Sequence, residues 1–208
     1  ASNGGYDTQE RLQFLRANAF SAARSMGIRP FPVRQQTEHP FPEHLMWQQG
    51  STLFISLNIP GSNNDLRNPD SLRQREKAID AWLAQAEKLF ENATLSPTES
   101  IIAIQGNPID GSGLGKQDGY AAFKQRLVGY INTTQRPVLL LHGDTHRFKW
   151  DRPSLKKYAG TSQTDALFYR AEGWGHPFIN TWVKIKVTPG ADTPFQVESM
   201  SQTAEPIN

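Results

Sequence analysis

Three side chains that can bind a divalent metal ion lie close together after a short apolar run. His142, Asp144 and His146 alternate with Gly143 and Thr145 in the segment His-Gly-Asp-Thr-His. Imidazole nitrogen and carboxylate oxygen are common ligands of zinc and other divalent transition metals. An extended backbone would point all three side chains to one face, whereas a turn at Gly143 would arrange them differently. The alternative interpretation is a polar loop whose histidines hydrogen-bond to the backbone.

The segments around this cluster predict an α/β fold. Apolar or β-branched runs predict strands, and apolar residues at helical spacing predict amphipathic helices between them. The predicted elements alternate along the chain: strand 51–59, helix 71–90, strand 101–104, helix 120–131 and strand 138–142. This alternation is typical of parallel strands joined by crossover helices. We therefore expect mixed strands in sheet layers that are flanked by helices.

Polar clusters follow all three predicted strands, at 60–65, 105–108 and 142–146. Ligands of parallel sheets bind beyond the carboxyl ends of the strands. We expect the clusters to meet at one edge of the sheet and to form the functional site there. Three asparagines in them are candidates for contact with a substrate or for support of a ligating residue: Asn63, Asn64 and Asn107. For the first two, Asx-turn hydrogen bonding is the alternative.

The N-terminal part of the chain predicts one helix and one long loop. Asp7 begins a capping box, and apolar residues continue at helical spacing as far as Met26. The proline-rich stretch 29–44 cannot be regular structure, and it predicts a surface loop that includes His39 and His44.

The C-terminal third predicts short strands. Alternating stretches at 167–172, 178–187 and 195–199 indicate antiparallel strands that close one side of the domain. His176 lies in a Gly-Trp-Gly-His-Pro turn between them. It is a candidate site residue, with a local hydrogen bond in the turn as the alternative.

The composition narrows the classes of function. A chain of 208 residues can bury one sizeable core, and the length favours a single domain over 1–208. The net charge of +2 is small and the basic residues are scattered, so no nucleic-acid patch is predicted. No cysteine is present, which excludes disulfides and thiolate metal sites. No apolar segment approaches the ~20 residues of a membrane span. The Gly-rich segment 106–118 lacks the spacing of a P-loop and predicts a flexible loop beside the site.

These motifs together resemble the C-terminal half of calcineurin-like metallophosphoesterases, over roughly residues 3–199. Gly143-Asp144-Thr145-His146 matches the Gly-His-x-His box of that family, and Gln105 in IIAIQGNP matches the position of its lone metal-binding histidine. Trp82-Leu83 in the preceding helix also fits. The resemblance is closest to a bacterial, often exported subgroup with an HGDxH box and a Gly-Ser-Asn-Asn turn, which is Gly61–Asn64 here.

The chain departs from the pattern of that family in two ways. The N-terminal boxes Asp-x-His, Gly-Asp-x-x-Asp and Gly-Asn-His are missing, although they would supply most of the carboxylate ligands. Two of the usual histidines are replaced, by Gln105 and by Asp144. An aspartate still binds hard divalent cations, whereas a glutamine is a weaker, neutral ligand. Because the chain begins with Ala rather than Met, we expect that it was processed or cut.

The resemblance implies a phosphatase-type hydrolase in which two divalent metal ions support attack of a metal-activated hydroxide on a phosphate mono- or diester. By position, His146 would ligate the first ion, and Asp144 and Gln105 would lie near the second. His142, which precedes the box, would act in catalysis with Asp144 or support a ligand. This chain offers one carboxylate in the cluster, so by itself it should bind metal poorly and catalyse nothing.

Two hypotheses follow from the resemblance. In the first, the chain is a fragment, the C-terminal portion of a metallophosphoesterase domain whose sheet is incomplete at the N-terminal side. Its partner would then be the missing N-terminal half, either cleaved or in a separate chain, which covers an exposed hydrophobic edge. In the second, the chain is a non-catalytic binding or structural protein on a degenerate phosphoesterase scaffold. A surface-binding β module built on the C-terminal aromatics is a third possibility.

Overall fold

The computed structural model describes residues 5, 7–20, 23–91, 96–110, 117–178 and 180–201 of the chain. The helices in these ranges are α1 Thr8–Ala19, α2 Gly61–Asp65, α3 Pro69–Phe90, α4 Ala121–Thr134 and α5 Ser162–Leu167, with a 3₁₀ turn at Lys156–Tyr158. The strands are β1 Arg34–Gln35, β2 Leu45–Gln49, β3 Thr52–Ser56, β4 Glu99–Ala103, β5 Val138–His142, β6 Lys149–Asp151, β7 Phe168–Glu172, β8 Thr181–Val187 and β9 Phe195–Ser201.

The centre of the fold is a mixed sheet of seven strands in the order β1-β2-β3-β4-β5-β7-β6. The inner strands β3, β4, β5 and β7 are parallel to one another, whereas β1, β2 and β6 pair antiparallel at the two edges. This arrangement confirms the predicted α/β class, with mixed strands flanked by helices. The parallel strands place their carboxyl ends at one edge, as the alternation of elements predicted.

Two cores cover the two faces of this sheet. Apolar side chains of α3 and α4, including Trp82 and Leu127, pack on one face against Ile102 and Leu140. On the other face, the antiparallel hairpin of β8 and β9 packs against a smaller core that contains Leu139, Tyr169 and Phe195 among others. The strands β4, β5 and β7 are therefore buried on both sides, which explains the apolar runs in β4 and β5.

The longest helix shows how local sequence sets its limits. α3 begins with Asn68 as the N-cap, whose side chain accepts a hydrogen bond from the amide of Ser71, and Pro69 occupies the first turn. The buried residues of α3 recur at helical spacing and face the sheet: Leu72, Arg75, Ala78, Ile79, Trp82, Leu83 and Ala86. The prediction of a helix over 71–90 is confirmed, with a start two residues earlier.

The first helix is shorter than predicted. Asp7 caps α1 by accepting hydrogen bonds from the amides of Gln9 and Glu10, but α1 ends at Ala19 rather than near Met26. Its apolar residues do not form a buried stripe, since Phe14 is 56% exposed. Helix propensity without an apolar face to bury does not sustain a longer helix.

Two predictions about strands are wrong. The stretch predicted at 167–172 as part of an antiparallel set forms β7, which instead runs parallel to β5 in the main sheet. The proline-rich stretch 29–44, predicted to contain no regular structure, includes the two-residue strand β1, and β2, which directly follows the stretch, was not predicted. Of the C-terminal aromatics, Phe178 and Trp182 are 46% and 49% exposed.

Within the described ranges, no helix is both long and apolar enough to cross a membrane.

His44 is buried, which contradicts the prediction that it lies in a surface loop. Its side chain is 0% exposed and stacks on Phe41 at 5.3 Å between ring centroids. The ring nitrogen Nδ1 lies 2.7 Å from Gln36 Oε1, whose amide nitrogen in turn donates to the carbonyl of Ala78. Burial lowers the pKa of His44 to about 4, and Nε2 has no hydrogen-bond partner within the described ranges. The imidazole is therefore neutral at neutral pH.

We expect His44 to make the fold acid-sensitive. Its pKa of about 4 in the folded state lies below the ordinary value of 6.5, so its contribution is fully present above 6.5 and is lost as the pH falls toward 4. Between about pH 7 and pH 5 the free energy of unfolding should drop by about 2 kcal/mol from this group alone. Urea unfolding at both pH values measures the drop.

The variant His44→Asn keeps a donor near Gln36 Oε1 and removes the titration. It should be less stable at neutral pH because it leaves a cavity, yet its stability should change less between pH 7 and pH 5 than that of the wild type. His176→Asn, at an exposed histidine, is the matched control and should keep the wild-type slope. An unchanged slope in His44→Asn would contradict the assignment.

Candidate functional site

The parallel ladders continue past the strand ends: the amides of Leu57 and Ile104 donate to Ala103 O and Leu141 O, and three glycine amides donate the hydrogen bonds that follow. The bonds are Gly106 N–H to Ile59 O at 2.8 Å, Gly143 N–H to Gln105 O at 3.1 Å and Gly173 N–H to His142 O at 2.8 Å. They join the four segments that follow β3, β4, β5 and β7 into one edge. We call this edge the rim; it comprises residues 59–65, 105–107, 142–146 and 172–176.

The loop after β5 does not stay extended. Strand β5 ends at His142, and Asp144 and His146 have φ of +90° and +62°. Positive φ is uncommon for residues with a side chain and indicates a backbone that its surroundings hold in place. The His142, Asp144 and His146 side chains therefore do not share one face. His142 is buried, whereas Asp144 and His146 are exposed.

Asp144 lies over Gly61, at the start of the segment after β3. A Cβ atom built on Gly61 would stand 2.4 Å from Asp144 Oδ1, so the carboxylate fills the space of the missing side chain. Within the described ranges, Asp144 accepts no hydrogen bond and forms no ion pair. Burial raises the pKa of the Tyr120 phenol, and the charge of Asp144 adds to that increase. An unpaired carboxylate thus faces the β3 side of the rim.

His146 leans toward the opposite side of the rim. Its ring packs on Gly175, where a Cβ atom would stand 2.6 Å from His146 Cδ2. The ring nitrogen Nδ1 lies 2.7 Å from the carbonyl oxygen of His176. In a neutral imidazole this contact places the proton on Nδ1 and leaves the lone pair on Nε2, which is the tautomer that a metal ion requires. His176 therefore contributes its carbonyl to the rim, and its side chain is exposed to solvent.

Gln105 lies between these two side chains along the sheet, at the end of β4. Its side chain is exposed and its carbonyl accepts the hydrogen bond from Gly143. It also lines an open groove of about 410 Å³. The other groove residues are mostly apolar: Phe20, Glu43, Leu45, Trp47, Ser56, Leu57, Ala103 and Ile104.

His142 is enclosed beneath the rim. It is 3% exposed, and its Nδ1 lies 2.9 Å from the carbonyl oxygen of Gly143. Its Nε2 has no partner within the described ranges. Burial lowers the pKa of His142 against the opposing effect of the nearby Glu172 carboxylate. The structure therefore gives His142 a buried position, apart from the exposed Asp144 and His146.

The asparagine-containing turn after β3 is left-handed. Residues 62–65 have φ between +52° and +59°, a conformation that costs about 1–2 kcal/mol per residue with a side chain. Asn63 Oδ1 accepts from the amide of Gly119 at 2.9 Å, and Asn64 Nδ2 donates to the Gly119 carbonyl at 2.8 Å. Arg75 donates to the carbonyl of Asn64 at 2.7 Å. Both asparagine side chains thus support the turn from within the chain.

A charged network under the rim was not predicted from the sequence. Glu172 is 0% exposed and accepts a hydrogen bond from the amide of Thr145 at 2.9 Å. Lys149 and Arg170 both bind Asp110, whose burial opposes ionisation; their hydrogen bonds outweigh it and lower the pKa of Asp110 to about 2. The sequence did contain one signal for this network. Arg170 and Glu172 are charged residues near the end of the stretch 167–172, and in a buried parallel strand they must have charged or polar partners.

The described ranges contain no group of three or more His, Asp or Glu side chains placed to hold a metal ion. Residues 111–116 of the Gly-rich segment 106–118, predicted as a flexible loop, lie outside the described residues. No protein-family profile matches the chain, and no curated protein or solved structure shows significant similarity to it.

Gly61→Ala should displace the carboxylate of Asp144 by about 1 Å or more, because a methyl group needs about 3.5 Å from a neighbouring atom. The displaced group is the end of an exposed side chain, so the free energy of unfolding should change by no more than about 0.5 kcal/mol. The Asp144 carboxylate ¹³C chemical shift and urea unfolding report the two quantities.

Two other glycines of the rim provide the controls. A Cβ atom on Gly106 would stand 2.4 Å from the backbone oxygen of Pro60, so Gly106→Ala should lower stability by about 1–3 kcal/mol. A Cβ atom on Gly143 would meet Gln105 O at an ordinary 3.6 Å, so Gly143→Ala should change little. An Asp144 signal that moves equally in Gly61→Ala and Gly143→Ala would contradict the geometry.

Proposed function

We propose that this chain supplies part of the dinuclear metal centre of a phosphoesterase and that a further polypeptide segment completes the centre. The observation that carries the proposal is the position of Gln105, Asp144 and His146 on one rim, where the Asp144 carboxylate is unpaired within the described ranges and the His146 ring is fixed by the His176 carbonyl. The resemblance of the His-Gly-Asp-Thr-His segment to a metallophosphoesterase box supports the choice of reaction.

The opposite directions of Asp144 and His146 suit two ions rather than one. Asp144 faces Gly61 on the β3 side, and His146 packs on Gly175 on the β7 side. In the proposed centre, His146 Nε2 binds one ion, and the Asp144 carboxylate with the Gln105 amide oxygen binds the other. Two divalent ions in such a centre would activate water and neutralise charge on the phosphoryl oxygens of the substrate.

The donors present do not suffice for such a centre. One carboxylate, one imidazole and one amide oxygen cannot fill the coordination shells of two divalent ions, which take four to six ligands each. Further anionic ligands must come from a segment outside the described residues, from the same domain or from a separate chain.

The open groove supports this part of the proposal. It lies on the sheet face that carries the β8–β9 hairpin, since Trp47 and Ala103 line both the groove and the apolar pocket of about 290 Å³ under the hairpin. Its wall is largely apolar and ends at Gln105. An apolar segment that fills the groove would bury this surface and would arrive at the rim beside Gln105. In this proposal the missing segment therefore covers part of a sheet face, rather than the exposed sheet edge that the sequence predicted.

The second candidate is a non-catalytic binding or structural protein on the same scaffold. The presence of a neutral glutamine at 105, where the resembled family carries a histidine, favours it. The two candidates differ in one measurable respect, which is hydrolysis of a phosphate ester once the site is complete.

Mn²⁺ titration of the isolated chain tests the proposed ligands. Paramagnetic broadening in ¹⁵N and ¹³C spectra should centre on Gly143, Asp144 and His146 at millimolar metal, with weak affinity because ligands are missing. Asp144→Asn should weaken the broadening about 10-fold or more, whereas Asp70→Asn, at an exposed carboxylate on α3, should leave it unchanged. Broadening centred on other residues, or an equal response of both variants, would refute the rim as a metal site.

Hydrolysis of p-nitrophenyl phosphate and bis-p-nitrophenyl phosphate separates the two candidates. With Mn²⁺ the isolated chain should show no rate above the blank, because its ligand set is incomplete. A preparation that hydrolyses either ester should contain an additional segment or a second polypeptide by intact mass. Activity of the 208-residue chain alone would contradict the need for completion, and inactivity of a completed, metal-loaded protein would favour the non-catalytic candidate.

A further inference from the structure

Glu172 is the most enclosed carboxylate at the rim. It lies at the end of β7, opposite His142 in the parallel ladder, and is 0% exposed. Its Oε1 accepts from both the backbone amide and the hydroxyl of Thr145. Its Oε2 lies 3.4 Å from Asn107 Nδ2 and 3.6 Å from Lys149 Nζ. Donors therefore meet both oxygens of this side chain.

Thr145 stands between the two candidate ligands. Asp144 before it and His146 after it both have positive φ, which costs free energy unless neighbouring contacts hold the backbone. Thr145 binds Glu172 through its backbone and its side chain at once, so its position is fixed by two bonds to one buried group. The path of the backbone on either side, and hence the placement of both ligands, depends on this attachment.

Asn107 and Lys149 in turn hold the Glu172 carboxylate on the side away from Thr145. Asn107 accepts from the amides of Ile109 and Asp110, so its amide group is oriented toward Glu172. Lys149 binds Asp110 and approaches Glu172 from β6. A buried polar group with its partners in place has little freedom to move. Glu172 is thus a fixed anchor under a strained loop.

We propose that Glu172 is a positioning residue for the rim: by binding Thr145 it holds Asp144 and His146 in the conformation that binds metal. This inference rests on the proposed function, because it assigns a partner to the same metal site. Glu172 touches neither the metal nor the substrate in this account and acts only through Thr145. Asn107, a candidate for support of a ligating residue, acts one step further back by orienting Glu172.

Glu172→Gln tests the anchor at nearly constant volume. A glutamine must turn its NH₂ group either toward the amide and hydroxyl of Thr145 or toward Asn107 and Lys149, and donors occupy both sides. Either the bonds to Thr145 are lost, or the NH₂ group faces the donors of Asn107 and Lys149 and the side chain loses the contacts that orient it. In both cases the hold on Thr145 should weaken and the loop should loosen. Loss of an outer partner of a metal ligand commonly weakens metal binding by about 10- to 100-fold, and we expect a decrease of that size for Mn²⁺ at the rim.

Glu99→Gln is the matched control. Glu99 is also 0% exposed and, like Glu172, accepts hydrogen bonds from threonine, in this case from the side chains of Thr52 and Thr98. It lies at the opposite end of the sheet. Thr145→Val is the second variant, since it removes one of the two bonds to Glu172 and keeps the shape of the side chain. It should produce a smaller decrease in Mn²⁺ affinity, and it should add little in combination with Glu172→Gln.

Two measurements are made on each variant. Hydrogen exchange of the Thr145 amide, in the absence of metal, should speed up in Glu172→Gln and not in Glu99→Gln. Mn²⁺ broadening of His146 should weaken in the same variant alone, while urea unfolding shows that both variants remain folded. Should Glu172→Gln fail to fold, Thr145→Val carries the test with the same two measurements.

The outcomes distinguish this inference from the proposed function. If the wild type binds no Mn²⁺ at the rim, the proposed function fails, whatever the exchange of Thr145 shows. If the wild type binds Mn²⁺ and Glu172→Gln binds it equally well, the metal site stands and the positioning role of Glu172 is wrong. Faster Thr145 exchange together with weaker binding, both absent in Glu99→Gln, supports the inference.

Discussion

The three glycine-donated hydrogen bonds beyond the strand ends are the constraint on which the site depends. Without them β3, β4, β5 and β7 would still form a sheet, but the segments that follow would be free to separate. Each glycine amide donates to a carbonyl in the segment that follows the neighbouring strand. The acceptors are residues 59, 105 and 142, so the adjacent segments stay paired beyond the strands. At Gly106 this requires the absence of a side chain, because the backbone of Pro60 lies where a Cβ atom would stand.

The rim combines this fixed backbone with one carboxylate, that of Asp144, which is unpaired within the described ranges. Arg170 is held by Asp151 and Asp110, and Glu172 by Thr145, so these two buried charged side chains under the rim have hydrogen-bond partners. Among the residues that the structure describes, Asp144 above them has no such partner. Free energy of folding is therefore gained below the surface, and an exposed carboxylate is left where a cation could bind. This division between a rigid support and an unsatisfied ligand is common at functional sites.

Much of the sheet and the location of the rim could be predicted from the sequence, because both follow from periodicity. Apolar runs at 101–104 and 138–142 identify buried strands, and polar clusters after them identify the carboxyl-end edge. β7 was misassigned because the only α-helix described in its connection from β5 is the six-residue α5, which gives no amphipathic signal of a crossover. The burial of His44 was missed because proline-rich composition reports an irregular backbone, not exposure to solvent.

The details of the site could not be predicted in the same way. Alternation along a strand places three side chains on one face, but the positive φ of Asp144 and His146 turns them to opposite sides of the rim. Thr145, which lies between these two residues, hydrogen-bonds to Glu172, 27 residues away in sequence. A contact of this range leaves no local pattern, and only the packed sheet reveals it.

Anomalous diffraction from crystals of the chain soaked in Mn²⁺ tests the central claim most directly. The account predicts a manganese peak on the rim, at about 2–2.5 Å from the Asp144 carboxylate or from His146 Nε2, with water in the remaining positions. A rim without a peak at saturating Mn²⁺, or a manganese ion fully ligated by this chain away from Asp144 and His146, would contradict it.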